Sequence, residues 1–395
     1  MRLGRMSEQP VGIETPPPLS DRSRALALVL VGGGAHAAYQ VGALAGIVER
    51  APEVALPILT GVSAGAINAA YLAAHRGSLA TAVAALRTEW GRLSVDQVYR
   101  IQLATLARAG LEWLGALVLG RHRGPTTVRG LMDMTPLRQF LTPSLDFGGI
   151  ESNIAAGRLR ALALSATSYA SGETVTFVQG APGVPMWRRA LRYSVATRLT
   201  LDHVMASAAL PILFPAVRIG TEFYGDGSVR QTAPLAPAIH LGARALLVIT
   251  MRPDPSGASP PAHRRDYPSA AEVIGLLLNA VFLDAPEVDA ERLVRINRLL
   301  ESLPAGRQHP DHLRQVRLLI LRPSRDLGTL AAVRSALLPS RVRWVVRAMG
   351  GQRAAAAEFL SYLLFDPAYT SALIDLGYAD VQSQWPRIER FLSDS

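Results

Sequence analysis

The feature that most constrains the fold is an uninterrupted apolar run at residues 25–31, ALALVLV, which three glycines close at positions 32–34. An apolar run without polar alternation is typical of a strand buried on both faces of a parallel sheet. The next stretch, AHAAYQVGALAGIVER, has helical spacing, and a second strand at residues 56–59 precedes the helix-forming GVSAGAINAAYLAAH. This alternation predicts an α/β fold around a parallel sheet with right-handed crossovers.

Four more segments have the composition of strands, at residues 159–166, 174–178, 245–250 and 316–321. The last follows a helical region and could rejoin the same sheet. We therefore predict a three-layer α/β/α fold with a mostly parallel central sheet, plus a mainly helical C-terminal extension.

The chain divides into four parts by composition. Residues 1–24 contain four prolines and no apolar periodicity, which predicts a flexible tail. We assign residues 25–251 to the main domain and the Pro- and Ser-rich residues 252–269 to a linker or long loop. Residues 270–395 form the helical extension, which we expect to pack on the main domain.

The composition excludes several reaction types. The chain has 41 basic and 31 acidic residues, a net charge of +10, and no cysteine. Every basic residue is arginine, so imine chemistry on lysine and a P-loop lysine are excluded. Thiol nucleophiles and cysteine-ligated metal sites are excluded as well. The arginines are dispersed along the sequence, so we expect solvated surfaces and no nucleic-acid partner.

The sharpest motif is Gly61-Val62-Ser63-Ala64-Gly65, a G-x-S-x-G sequence between a predicted strand and a predicted helix. A serine on such a tight turn projects its Oγ away from the backbone, and small neighbours allow close chain approach. The N-terminus of the following helix favours a developing negative charge. In this context Ser63 is a candidate nucleophile, with Gly61 and Gly65 as its elbow; an ordinary glycine turn is the alternative.

A second candidate site is the loop Gly32-Gly33-Gly34 at the end of the first strand. Consecutive N–H groups without side chains can bind a phosphate or an oxyanion. Gly32-x-Gly34-x-x-Ala37 also matches a dinucleotide-binding pattern, which expects an acidic residue at the end of the second strand. The second predicted strand has no acidic residue at its end, which disfavours dinucleotide binding.

A serine nucleophile needs a base. The chain has seven histidines after Ser63, none of which lies in a recognisable motif. The competing candidate is Asp226, between two glycines in EFYGDGSVRQTAPL, where a sharp turn could direct its carboxylate into a cleft.

Taken in order, these motifs resemble the patatin-like phospholipase family. The glycine loop, GVSAG on an elbow and a D-G-[GA]-like element carry the resemblance, and two further blocks agree with it, ALALSATSYASGETVTF and ASAALPILFPAV. The resemblance extends over residues 25–250.

This resemblance implies a Ser-Asp dyad without a catalytic histidine. By resemblance, Ser63 would be the nucleophile, Asp226 the general base and Gly32, Gly33 and Gly34 the oxyanion hole. Two positions depart from the family pattern. His36 and Ala37 replace a basic residue and glycine, and Ser228 ends the Asp-Gly element. The first change removes a permanent cation beside the loop, and we expect little effect from the second.

We therefore expect a serine lipid acyl hydrolase that cleaves phospholipids or related lipid esters without a metal or organic cofactor. Its acyl cleft should be formed by residues 79–136 and 210–214. The alternatives are a nucleotide-binding α/β protein that uses the Gly32–Gly34 loop and a catalytically silent, membrane-associated scaffold.

The chain opens without a signal peptide, and no apolar run is long enough to span a bilayer. We expect a cytoplasmic protein with peripheral contact to anionic membranes. Trp113, Trp187 and Trp344 are candidate anchors, and core packing is the alternative that we expect for any one of them. The oligomeric state is open.

Overall fold

A computed structural model describes residues 26–101, 130–253, 270–304, 313–334 and 361–393 of the chain. The predicted N-terminal tail at residues 1–24 lies outside the described residues. So do nearly all of the predicted linker at residues 252–269 and the candidate anchors Trp113 and Trp344.

The described strands include all six segments that the sequence predicts and six further strands that it does not. They are β1 Leu26–Leu30, β2 Ile58–Val62, β3 Arg100–Ile101, β4 Met132–Asp133, β5 Ala161–Ser168, β6 Thr174–Gly180, β7 Arg188–Arg189, β8 Arg192–Ala196, β9 Val217–Ile219, β10 Glu222–Asp226, β11 Ala245–Ile249 and β12 Arg317–Leu321.

Helices connect most of these strands. The described α-helices are α1 Ala38–Arg50, α2 Ala64–Ala74, α3 Leu79–Arg92, α4 Val95–Val98, α5 Thr135–Ser144, α6 Phe147–Ala155, α7 Leu201–Ser207, α8 Ala236–His240, α9 Ala270–Asn279, α10 Ala285–Glu301, α11 Leu327–Arg334 and α12 Pro367–Ser393. A π-helical segment, Ala280–Asp284, joins α9 to α10, and short 3-10 turns cover Gly34–Ala37 and Gly227–Val229.

The central sheet is mixed and mostly parallel, as predicted. Its main strand order is β12-β11-β1-β2-β5-β6-β8-β7. Each of the strands β12, β11, β1, β2 and β5 is parallel to the next one in this order, whereas β6 pairs antiparallel with β5. All five residues of β1 are buried, as the continuous apolar run predicts. The C-terminal part of the chain contributes the edge strand β12 to this sheet.

The long strand β5 brings two strand ends together. Residues 161–165 of β5 pair with β2, and residues 166–168 pair with β10 in the opposite direction. Because β6 occupies the other edge of β5 up to Thr167, β2 and β10 must lie along the same edge. The carboxyl end of β2 therefore meets the carboxyl end of β10. Residues that follow these two strands are neighbours despite a long separation in sequence.

Helix α12 packs along α1, the first helix of the α/β series. The Tyr39 hydroxyl on α1 donates a hydrogen bond of 3.0 Å to Asp380 Oδ2 on α12, and both residues are buried. Burial and the adjacent carboxylate raise the pKa of Tyr39, so its hydroxyl remains protonated. Within the described part of the chain, no helix is both long and apolar enough to cross a membrane.

Candidate active site

Ser63 lies between β2 and α2, with no intervening loop. Strand β2 runs to Val62, three residues beyond the end expected from the sequence, and the next residue is already the N-cap of α2. Ser63 has φ 56° and ψ −131°, an uncommon backbone conformation for a residue with a side chain. Such strain is typical of a nucleophile elbow, which presents Oγ at the end of the sheet.

The two glycines of the motif allow this turn to pack. A Cβ atom on Gly65 would lie 2.3 Å from the carbonyl oxygen of Leu30, at the end of β1. A Cβ atom on Gly61 would lie 2.5 Å from the carbonyl oxygen of Gly65. Neither space admits a side chain, so both positions require glycine for close approach between the turn and the sheet.

A buried serine on α7 holds the elbow. The backbone N–H of Ser63 donates to Ser207 Oγ at 3.1 Å, and Ser207 donates in turn to the carbonyl oxygen of Ser165 at 2.6 Å. Ser207 is completely buried and belongs to the ASAALPILFPAV block. This block therefore fixes the backbone of the candidate nucleophile.

Asp226 ends β10 and is completely buried. Its backbone N–H donates to the carbonyl oxygen of Ala209 at 2.8 Å, and the Thr167 hydroxyl donates to its carbonyl oxygen at 2.8 Å. Its carboxyl Oδ1 accepts the N–H of Ser228 at 2.8 Å. Main chain and side chain are thus both fixed in position.

Burial raises the pKa of Asp226 to about 6, because an ionised carboxylate is poorly solvated there. The nearby Ser63 hydroxyl, the N–H of Ser228 and the Ser228 hydroxyl act in the opposite direction. Among the described residues, Asp226 Oδ2 completes no hydrogen bond. The Ser63 hydroxyl is therefore near the carboxyl without a complete hydrogen bond, a geometry common in unliganded active sites.

The glycine loop lies at the end of β1, beside this pair of residues. Gly34 has φ 54°, and a Cβ atom there would lie 2.2 Å from the carbonyl oxygen of Tyr362. A Cβ atom on Gly32 would lie 2.7 Å from the Ser228 hydroxyl, next to Asp226. The loop is thus enclosed by backbone and side chains that leave no room for anything larger than glycine.

An apolar cavity of about 80 Å³ opens at Ser63 and Gly34. It follows α2 from Ser63 past Ile67 to Tyr71, which is two helical turns, or about 12 Å. The other apolar lining residues come from α2 and from five further regions of the chain: Ala64; Leu86, Trp90, Leu93 and Val98; Met134, Leu137, Phe140 and Leu141; Ala208, Leu210 and Phe214; Phe282; and Tyr362, Leu363 and Phe365. Ser144 also lines the cavity. Glu89 is the one carboxylate among the described lining residues, and no arginine is among them.

The sequence profile of the patatin-like phospholipase family matches residues 28–239. The chain belongs to this family. No curated protein sequence gives a significant match to the chain.

Three solved structures are similar to this chain. Human GIVD cytosolic phospholipase A2, in complex with methyl gamma-linolenyl fluorophosphonate and terbium chloride, is 13% identical, with a TM-score of 0.40 over 95% of this chain and 60% of that chain. VipD from Legionella pneumophila is 13% identical, with a TM-score of 0.31 over 89% of this chain and 67% of that chain. The complex of SpcU with ExoU, from the type III secretion system of Pseudomonas aeruginosa, gives 16% identity and a TM-score of 0.30 over 87% of this chain and 70% of the matched chain. The chain thus spans 60% of the length of the human protein in its structure.

His36, which stands where the family usually has a cation, is a buried neutral residue. Its Nε2 lies 2.8 Å from Ser361 Oγ, and its ring lies 4.5 Å from that of Tyr362. Burial lowers the pKa of His36 to about 4. The chain therefore has no permanent charge at this position, and His36 makes an aromatic contact and a hydrogen bond there instead.

The histidines that the structure describes after Ser63 have other contacts. Thr200 donates to His203 Nδ1 in a helix cap, and the His203 ring packs edge-on against Phe177. The His240 ring stacks on Trp187 at 4.9 Å. Trp187 is 8% exposed, so it is not a membrane anchor: the indole packs in the core, as the alternative from the sequence has it. Among the described residues, no three His, Asp or Glu side chains are grouped so that they could hold a metal ion.

The described parts of the predicted cleft region, residues 79–101, 130–136 and 210–214, contribute much of the cavity wall. Residues 102–129 of that region lie outside the described residues. The sequence did not indicate Phe282 or residues 362–365, which complete the wall. These residues carry no motif, and they reach the site only through contacts far apart in sequence.

Proposed function

We propose that this patatin-like phospholipase is a serine lipid acyl hydrolase with a Ser63–Asp226 dyad. The observation that carries this proposal is a strained serine elbow that lines an apolar cavity and lies beside a buried carboxyl of raised pKa. A carboxyl with a pKa of about 6 is a better base than an ordinary aspartate and still ionises near neutral pH.

In the proposed acylation, Ser63 Oγ attacks the ester carbonyl carbon and Asp226 accepts the hydroxyl proton. The N–H groups of Gly32, Gly33 and Gly34 would stabilise the oxyanion. As the intermediate collapses, the ester bond breaks and Asp226 returns the proton to the departing alkoxide. A water molecule then attacks the acyl-serine with Asp226 again as base, which releases the fatty acid and restores Ser63. The scheme uses no metal and no organic cofactor.

The acyl chain would occupy the cavity along α2. Its lining is apolar, as a hydrocarbon chain requires, and the single carboxylate, Glu89, disfavours a phosphate group there. We therefore propose lipid esters, including phospholipids, as substrates. We keep residues 25–251 as the proposed catalytic domain and residues 270–395 as its proposed extension.

We also propose that the protein meets its substrate at an anionic lipid surface. One edge of the sheet, which we call the basic–apolar edge, exposes apolar side chains beside arginines. Its residues are Tyr169, Leu191, Phe223, Arg189, Arg218 and Arg230. Tyr169 N–H bonds to the Phe223 carbonyl oxygen, and Phe223 pairs with Arg218 across β9 and β10. Arg230 bonds to Gly172 in the turn after Tyr169, and the N–H of Thr174 donates to the carbonyl oxygen of Leu191, two residues from Arg189. These contacts connect the six residues. Such a combination favours adsorption to anionic headgroups.

The decisive experiment is labelling with an alkyl fluorophosphonate, followed by hydrolysis of a phospholipid panel. Wild-type protein should be labelled and active, and Ser63→Ala should be neither. Ser144→Ala is the matched control, because this serine lines the same cavity and bonds only within its own helix. Near wild-type turnover by folded Ser63→Ala would overturn the proposed mechanism.

A further inference from the structure

Part of the cavity wall lies outside the residues that match the family. Tyr362, Leu363 and Phe365 line the cavity, but the family profile covers residues 28–239. We propose that residues 361–365, here called the C-terminal wall, determine which acyl chains this protein accepts. This inference rests on the proposed function, because it assigns the acyl specificity of that same site.

The C-terminal wall begins at the reacting end of the cavity. The Tyr362 carbonyl oxygen lies directly against Gly34, where it leaves no room for a Cβ atom. The neighbouring Ser361 hydroxyl is 2.8 Å from His36 Nε2, just beyond the glycine loop. Tyr362 is thus next to the proposed oxyanion hole, where the ester carbonyl would bind.

The wall is held by three separate elements of the fold. The Tyr362 hydroxyl donates to Asn279 Oδ1 on α9 at 2.7 Å, and the Tyr362 ring stacks on Phe282 at 5.4 Å. The Tyr99 hydroxyl, from the segment after α4, donates to the carbonyl oxygen of Leu363 at 2.9 Å. Contacts from opposite sides fix the wall rigidly, and a rigid wall can discriminate between chain shapes.

Phe365 continues the wall away from the glycine loop. Its ring stacks on Trp90 at 6.2 Å and lies edge-on to Tyr99 at 6.4 Å. Trp90 and Phe365 both line the cavity, and both are at most 8% exposed. Truncating Phe365 would therefore enlarge the cavity instead of uncovering surface, and it should admit bulkier or longer chains.

The test is a comparison of kcat/KM for butyrate, octanoate, laurate and palmitate esters. Phe365→Ala and Leu363→Ala should each shift the ratio of laurate to butyrate hydrolysis by about tenfold or more, while fluorophosphonate labelling continues. Leu373→Ala is the control, because Leu373 is fully buried on α12 and does not line the cavity. It should lower stability and leave the ratio unchanged. An unchanged ratio in folded Phe365→Ala and Leu363→Ala would overturn the proposal.

A binding measurement separates this inference from the proposed hydrolase activity. Laurate and octanoate are titrated calorimetrically into Ser63→Ala, with and without Phe365→Ala. If wild-type protein hydrolyses no ester but Phe365→Ala changes which fatty acid binds better, the hydrolase proposal fails. The assignment of chain preference to the C-terminal wall is then still supported. If neither fatty acid binds and no ester is cleaved, both fail.

Discussion

The Ser207 hydroxyl accepts the backbone N–H of Ser63 at 3.1 Å and ties the strained elbow to the interior of the sheet. Ser207→Ala removes this acceptor and leaves the Ser63 N–H and the Ser165 carbonyl oxygen without that partner. We expect a loss of about 1–3 kcal/mol in the free energy of unfolding, together with a lower kcat. Urea denaturation and ester hydrolysis measure the two effects. Ser144→Ala should change neither, and a fully active, equally stable Ser207→Ala would show that the elbow does not need this bond.

Asp226 should destabilise the folded protein above pH 6. Its folded pKa of about 6 exceeds the ordinary value of 3.8, so the folded state binds the proton more tightly than the unfolded state. The contribution of Asp226 to the free energy of unfolding is therefore fully present below pH 3.8 and is lost as pH rises through 6. The free energy of unfolding falls by up to about 3 kcal/mol over this range. Asp226→Asn cannot ionise, so its stability relative to wild type should increase over this range.

Denaturation of Asp226→Asn and wild type at several pH values measures that difference in stability, and a difference independent of pH would contradict the assignment.

The Asp226→Asn variant should also lose acylation, because the amide cannot accept the serine proton. His203→Ala and His240→Ala should each retain substantial activity. An equally severe loss in either folded histidine variant would favour a histidine base.

The acidic limb of the activity profile should have its midpoint near pH 6, since the base acts in its ionised form. The Ser228 hydroxyl lowers the pKa of Asp226, so Ser228→Ala should move this midpoint to higher pH. This substitution also restores the alanine that the family pattern allows. Profiles of kcat/KM on a soluble short-chain ester provide the measurement, with Ser144→Ala as the unchanged reference. A midpoint that stays fixed or moves to lower pH would contradict the prediction.

The sequence could predict the parts of the site that depend on local backbone geometry. Strand, glycine and helix patterns predicted the sheet and placed Ser63 on an elbow, because those patterns span only a few residues. The junction of β2 and β10 along β5 was not readable, since it depends on strand pairing over a long separation. The contact of Tyr362 with Gly34 could not be predicted for the same reason. For Trp187 the sequence left both an anchor and a core position open, and the burial of the residue in the structure decides between them.

Gly65→Ala should disrupt the elbow by steric overlap. The new Cβ atom would lie 2.3 Å from the Leu30 carbonyl oxygen, which belongs to a buried strand and cannot move freely. We expect destabilisation of about 1–3 kcal/mol and a loss of fluorophosphonate labelling. Gly91→Ala is the matched control: it lies in α3 with nothing within 4 Å of the added atom, so it should be neutral or slightly stabilising. Equal thermal stability of the two variants would argue against close packing at Gly65.

Docking on anionic bilayers should depend on where the arginines lie as well as on the net charge of +10. We expect Arg189→Gln with Arg218→Gln to weaken co-sedimentation with phosphatidylglycerol-rich vesicles, since each cation near an anionic surface contributes about 1 kcal/mol. Phe223→Ser should weaken it further by removing a half-exposed aromatic ring from the same edge. Arg76→Gln with Arg87→Gln removes equal charge from other exposed positions and should bind like wild type.

Binding of the wild-type protein to anionic vesicles should also fall as the salt concentration is raised. Equal losses in the two double variants would show that net charge alone attracts the protein, and undiminished binding to phosphatidylcholine vesicles at high salt would remove the electrostatic basis of docking.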